Sequence, residues 1–147
     1  MSRIDDSLVL NNLILLNRRL RKAFDARASA LGLTFSRAQA LLMVARNEGK
    51  SQTELAEILH IETPTLNRAL DGLEKTGFIE RRAQADDRRI RRVFLTEMSK
   101  QKAEEIVTFS ADLRHDLFHS LQNEELDQFN TFLQRLHLNL DDIEKNG

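Results

Sequence analysis

The chain has 147 residues, 41% apolar and 31% charged, with a formal net charge of −1. That is the make-up of one globular domain large enough to bury a core. It holds no cysteine, which excludes disulfides, thiolate zinc sites and cysteine redox sensing. No run approaches the ~20 apolar residues of a membrane span, and the opening M-S-R-I-D-D has no apolar core of a secretory signal.

Asp5 to about Leu31 reads as one long helix. Leu8, Leu13, Leu16, Leu20 and Phe24 supply its apolar face, and Leu13–Leu16 is apolar all round, a pattern of burial on more than one side. Arg18, Arg19, Arg21, Lys22 and Arg27 form a basic run. It is read first as a solvated face, with phosphate contact or an acidic ligand as the functional alternative. Gly32 ends this helix. Thr34 caps the next, Phe35 to about Asn47, with Leu41, Leu42, Val44 and Ala45 as core positions.

Ser51 with Glu54 three residues on is a capping box, so a third helix starts there. Leu55, Ala56, Ile58 and Leu59 form its apolar stripe. After the turn His60-Ile61-Glu62, Thr63 offers an N-cap oxygen, with Pro64 at the first helical position. Leu66, Ala69, Leu70 and Leu73 follow at helical spacing and face inward. Thr65, Asn67, Arg68, Asp71, Gly72 and Lys75 are thereby turned outward, and Gly77 terminates the helix as its C′ residue. Two short helices joined by such a turn make a helix-turn-helix, whose second helix fits the major groove.

Two short strands come next, Phe78–Arg82 and Arg91–Thr96, around a tip at Ala83 to Ile90. Residues 81–92 hold six arginines (Arg81, Arg82, Arg88, Arg89, Arg91, Arg92) and two aspartates (Asp86, Asp87), a local charge of +4 against −5 for the remainder. Positive charge focused on a hairpin is the footprint of an element that touches phosphates.

The remaining chain is helical, about Glu97 to Leu121 and Glu124 to Glu144, with a break at Gln122-Asn123. In the last helix Leu126, Phe129, Leu133, Leu136, Leu140 and Ile143 are spaced 3, 4, 3, 4, 3, an a/d seam. With Leu8 and Leu13 these are the candidate dimerisation residues. Residues 97–147 carry five basic and eleven acidic side chains, so this arm is not expected to touch nucleic acid. His115 and His119 stand four apart beside Asp112 and Asp116, but without thiolates they make a weak zinc site. No metal or cofactor is assigned. His60 and His137 read as structural.

Thr63 to Arg82 followed by D-D-R-R-I-R-R-V-F-L-T resembles the signature of the MarR/SlyA family of transcriptional regulators. In that family an acidic-then-Arg wing tip ends in a strand closing with Leu-Thr. Asp87, Arg88, Leu95 and Thr96 stand where the pattern wants them. With the flanking helices the resemblance covers essentially the whole chain, and P-T-L-N-R-A-L-D-G-L-E is nearest the SlyA branch. It implies a mainly α fold: a winged helix-turn-helix over residues 34–96 with a two-stranded wing, and dimerisation helices from 1–33 and 97–147, all in one domain. It also implies a bacterial cytoplasmic repressor-type regulator acting as a homodimer on double-stranded DNA. A small aromatic carboxylate would bind between scaffold and winged region, at Arg18, Arg19 or Arg37.

The DNA-binding candidates are Arg37, Ser51, Thr63, Pro64, Thr65, Asn67, Arg68, Asp87, Arg88, Arg89 and Arg91. Arg68 is the base reader, since a guanidinium on guanine O6/N7 is the commonest specific major-groove contact. A phosphate contact or a salt bridge to the wing is its alternative. Arg88 suits a narrow minor groove, while Arg89, Arg91 and Arg92 bind phosphates or stay solvated. By resemblance, Asp87 orients arginines of wing and recognition helix, and Arg37 lies near the DNA backbone. No Gly-rich phosphate loop, H-E-x-x-H, Cys nucleophile or G-x-S-x-G is present, so an enzyme is not expected. The competing reading from another class is a winged-helix protein–protein module, which has no need of six clustered arginines.

Overall fold

The computed structural model describes residues 4–147. Six α-helices and two strands follow one another as α1 (Asp6–Ala30), α2 (Phe35–Arg46), α3 (Gln52–Leu59), α4 (Thr63–Lys75), β1 (Ile79–Ala83), β2 (Arg91–Leu95), α5 (Lys100–Phe118) and α6 (Asn123–Asn146). They form a winged helix-turn-helix within a mainly helical chain. Two compact units result, one up to Ser110 and one from Ala111, with the boundary inside α5.

Local chemistry sets the helix ends. Asp5 accepts from Ser7 N, Thr34 Oγ1 from Arg37 N and Ser51 Oγ from Glu54 N, so α1, α2 and α3 each start on a side-chain cap. Only half of the expected box forms at Ser51: the Glu54 carboxylate turns to Lys50, 3.9 Å away. α4 starts one residue earlier than its sequence suggests. Glu62, not Thr63, is the N-cap, because its carbonyl accepts from Thr65 N and Leu66 N. Thr63 is therefore the first helical residue and Pro64 the second, where a missing N–H is still harmless. Gly77 takes the expected left-handed turn, φ +81°.

The first unit buries one apolar core. Leu41 and Val44 of α2, Leu55 of α3, Leu66, Leu70 and Leu73 of α4, Ile79 of β1, Val93 of β2 and Ile106 of α5 are all essentially inaccessible. Phe24 and Ala28 bring the C-terminal half of α1 into it, and the Phe24 ring meets Phe35 edge-on at 5.6 Å. Four expected core positions of α2 and α3 differ. Ile58 is exposed and Leu59, Leu42 and Ala45 are only half-buried, while Ala38 and Ala40 are buried instead. α2 turns its small residues inward because α4 packs close against it. The apolar stretch Leu13–Leu16, expected to be buried on more than one side, stays 37–49% exposed.

β1 and β2 pair antiparallel, from Ile79 opposite Leu95 to Ala83 opposite Arg91. The Leu-Thr close of the wing has a physical role at its root. Thr96 N and the Ser99 hydroxyl both donate to the Phe78 carbonyl, and Thr96 Oγ1 donates to the Gly77 carbonyl at 2.5 Å. A 3₁₀ turn at Glu97–Ser99 precedes α5, where a continuous helix from Glu97 was expected, and α5 stops at Phe118 rather than Leu121.

In the second unit, α6 starts on a full capping box, Gln122 with Glu125, so the expected break is itself a cap. α6 buries none of its residues. Among the described residues no single helix is long and apolar enough to cross a membrane.

Candidate nucleic-acid interface

α3 and α4 are set by the turn at His60, which adopts a left-handed conformation, φ 53°. That conformation closes α3 through bonds from His60 N to the Glu57 carbonyl and from Ile61 N to the Ala56 carbonyl. The backbone of His60 thereby sets the turn from which α4 leaves. Three turns of α4 are then anchored by Leu66, Leu70 and Leu73. Thr63 lies exposed at the start of the helix, and Pro64, Thr65, Arg68 and Asp71 lie exposed away from the leucine face.

Two residues expected on that outer face are not fully there. Asn67 is half-buried, and its Oδ1 is enclosed without a hydrogen-bond partner. Gly72 is buried, because the side chain of Arg37 from α2 lies across it. Helical periodicity places Gly72 outward and cannot see a side chain arriving from another helix. Ser51 is also buried. Its hydroxyl caps α3 and its backbone bridges to Arg92.

The six wing arginines divide into two groups. Arg81 is drawn in: its Nη2 donates to Asp71 on α4 at 2.5 Å, and its Nε lies 3.8 Å from Glu74. Arg92 donates to the Gly49 carbonyl at 2.8 Å and to Gln84 Oε1 at 2.6 Å. Arg82 pairs with Glu80 and stacks on Phe94, 4.2 Å from the ring centre. These three hold the wing together. Arg88 and Arg91 are exposed, and no intramolecular partner is seen for either among the described residues.

Arg89 sits between the groups. Its guanidinium extends into solvent, yet Nε and Nη2 reach the two oxygens of Asp87 at 3.1 and 3.2 Å. Those bonds, then the Arg89 backbone N–H, hold the Asp87 carboxyl below its ordinary range. Asp87 thus ties an arginine of the wing, whereas the tie from wing to α4 runs through Arg81 and Asp71. The sequence carried no signal for that choice, since seven arginines from 68 to 92 compete for five nearby carboxylates. Gln84 holds Asp86 in the same way, with a side-chain bond that lowers its carboxyl.

Arg18 and Arg19 are exposed on α1. Their neighbour Arg21 is occupied, with its guanidinium 4.5 Å over the Phe35 ring. In the second unit, His119 Nδ1 lies 2.7 Å from the Asp116 carbonyl oxygen. Among the described residues no three His, Cys, Asp or Glu side chains converge on a common point.

The arrangement can therefore do one thing well. It presents a helix with one free arginine and small polar groups, beside a hairpin whose free cations sit at the tip and the start of β2. That geometry suits a duplex groove flanked by phosphates. The MarR family pattern matches residues 31–90. Among solved structures, the transcriptional regulator PA3341 is 34% identical over 90% of this chain and 98% of its own, at a TM-score of 0.74. The transcriptional regulator SlyA is 27% identical over 91% and 94%, at 0.78. A MepR–DNA complex from S. aureus is 20% identical over 94% and 99%, at 0.79, and shares the fold.

Proposed function

Because this chain belongs to the MarR family of transcriptional regulators, we propose that it binds specific double-stranded DNA as a homodimer and regulates transcription in a bacterial cytoplasm. α4 enters the major groove. Arg68 reads a guanine edge, Thr63 and Thr65 hold the neighbouring phosphates, and Arg88 at the wing tip enters the minor groove. Asp87 limits the direction Arg89 can take, and Arg91 meets a phosphate. The observation that carries this reading is the free, exposed Arg68 on an α4 anchored on its other side by three buried leucines.

A second copy of the chain covers the seam of α6, which has no buried residue, and the exposed Leu8–Leu16 face of α1. Two-fold symmetry then sets two copies of α4 one helical turn apart, about 34–36 Å, on a pseudo-palindromic operator. Blocking such a site makes repression the direct outcome. The structure of MepR with DNA supports the mode of docking by its shared fold. A small aromatic carboxylate acts as effector by pairing with Arg18, Arg19 or Arg37. It can weaken binding only by preferring a dimer whose recognition helices are mis-spaced.

The test is selection of bound sequences from random duplex DNA, followed by two variants. Arg68→Ala relaxes preference at one base pair per half-site, at a cost of ~1–3 kcal/mol. Arg91→Ala weakens all sequences alike and flattens the salt dependence. An unchanged consensus with Arg68→Ala overturns the base-reading role, and selection of no consensus by the wild type favours the protein-interaction alternative.

A further inference from the structure

Gly72 stands in the third turn of α4, one turn beyond Arg68. A glycine there loosens a helix by about 1 kcal/mol relative to alanine, and the backbone angles at this position are ordinary helical ones. Its reason lies outside α4. A Cβ built on Gly72 would stand 2.4 Å from Arg37 Nε, 2.7 Å from Nη2 and 2.8 Å from Cζ. The bare backbone of α4 at Gly72 is a notch, and the guanidinium of an α2 residue lies in it. Arg37 is half-buried there, and no carboxylate is paired with it among the described residues.

We propose that Gly72 exists to seat Arg37, so that α2 supplies the cation that α4 lacks one turn past Arg68, and that this guanidinium binds a DNA backbone phosphate next to the bases Arg68 reads. The inference rests on the DNA-binding reading above. It adds that the recognition surface is built from two helices. Arg68 and Gly72 are four residues apart and so share a face of α4. The seated guanidinium therefore extends that face in the direction of Lys75. A seated arginine with little freedom left has less rotamer entropy to lose when it meets a phosphate. Without a neighbouring carboxylate, its charge is not spent inside the protein.

The collision partner is the far end of a flexible side chain. Gly72→Ala therefore leaves the fold intact, and it displaces Arg37 rather than α4. The experiment compares wild type, Gly72→Ala, Arg37→Ala and the double variant on a duplex selected by the wild-type protein, across a salt series. Thermal melting of each checks the fold. Both single variants are expected to bind about tenfold more weakly, with the salt slope shallower by about one counterion. The double variant is expected to bind like Arg37→Ala alone, because Gly72 has nothing left to seat. Gly72→Ala is expected to melt no lower than wild type. Wild-type affinity and salt slope in Gly72→Ala would overturn the proposal. So would a further loss when Gly72→Ala is added to Arg37→Ala, since the methyl would then be acting on DNA directly. If the wild type itself selects no duplex, the DNA-binding reading fails, and this inference fails with it for that separate reason.

Discussion

α4 and α6 carry the same apolar periodicity, yet they have opposite fates. In α4 the residues at that spacing, Leu66, Leu70 and Leu73, are shut away from solvent. In α6 Phe129, Leu136, Leu140 and Ile143 stay 38–64% exposed. Periodicity states that a helix has an apolar face. It does not state which chain covers it. Within residues 33–106 the stripes of α2, α3 and α4 meet one another and the sheet, so each closes against the same protein. The seam of α6 has no buried residue; in the proposed dimer a second copy covers it, and burying such a face on association is favourable by roughly 25 cal/mol per Å².

The largest effect that could break this contrast comes from charging the seam. Leu133→Glu with Leu136→Glu is expected to convert a dimer to a 17.0 kDa chain in sedimentation and to abolish tight binding to a palindrome. A wild-type chain that sediments as a monomer at micromolar concentration while binding a palindrome tightly would end the assignment of α6 to a partner. A smaller effect sharpens it. Leu70→Ala removes a fully buried side chain and should cost ~2–5 kcal/mol in denaturant unfolding. Leu138→Ala lies on the same kind of helix but off the seam, 64% exposed, and should change stability by less than ~0.5 kcal/mol. Similar losses from both would mean that α6 has no distinct outer side.

The smallest effect lies in the wing. The Asp87 carboxyl is held below its ordinary value by Arg89. A depressed folded-state value stabilises above the unfolded one and is lost as pH falls through the folded one. The Arg89 pairing is therefore complete near neutral pH and loosens only below the usual carboxylate range. In an NMR titration, Arg89→Ala should return Asp87 toward its ordinary value. An unmoved titration would show that some other group holds it.

Much of the helical frame could be read from the chain because its signals are local. Ser51, Thr34 and Gly77 act within a few residues of themselves, and each does what its type suggests. The choice between adjacent caps and the non-local geometry were less legible. Thr63 lost the cap to Glu62 because a backbone carbonyl, not a side chain, opened α4. Gly72 was covered by a residue 35 positions earlier. In the wing, six arginines looked alike, but Arg81 and Arg92 were taken up by acceptors on α4 and before α3. Only the folded distance between those elements separates a bracing arginine from a free one.

The root of the wing has a mechanical consequence. Gly49 N donates to the Val93 carbonyl, Val93 N donates to the Lys50 carbonyl, and Arg92 grips the Gly49 carbonyl from the side. β2 is thereby stitched along one edge to the segment entering α3. A hairpin fastened like this cannot swing like a hinged flap. Its compliance is confined to the tip beyond Gln84 and Ile90, which close on each other through one main-chain bond of 2.9 Å. The wing is built as a short cantilever, held at its base in register with α3 and least restrained at its tip.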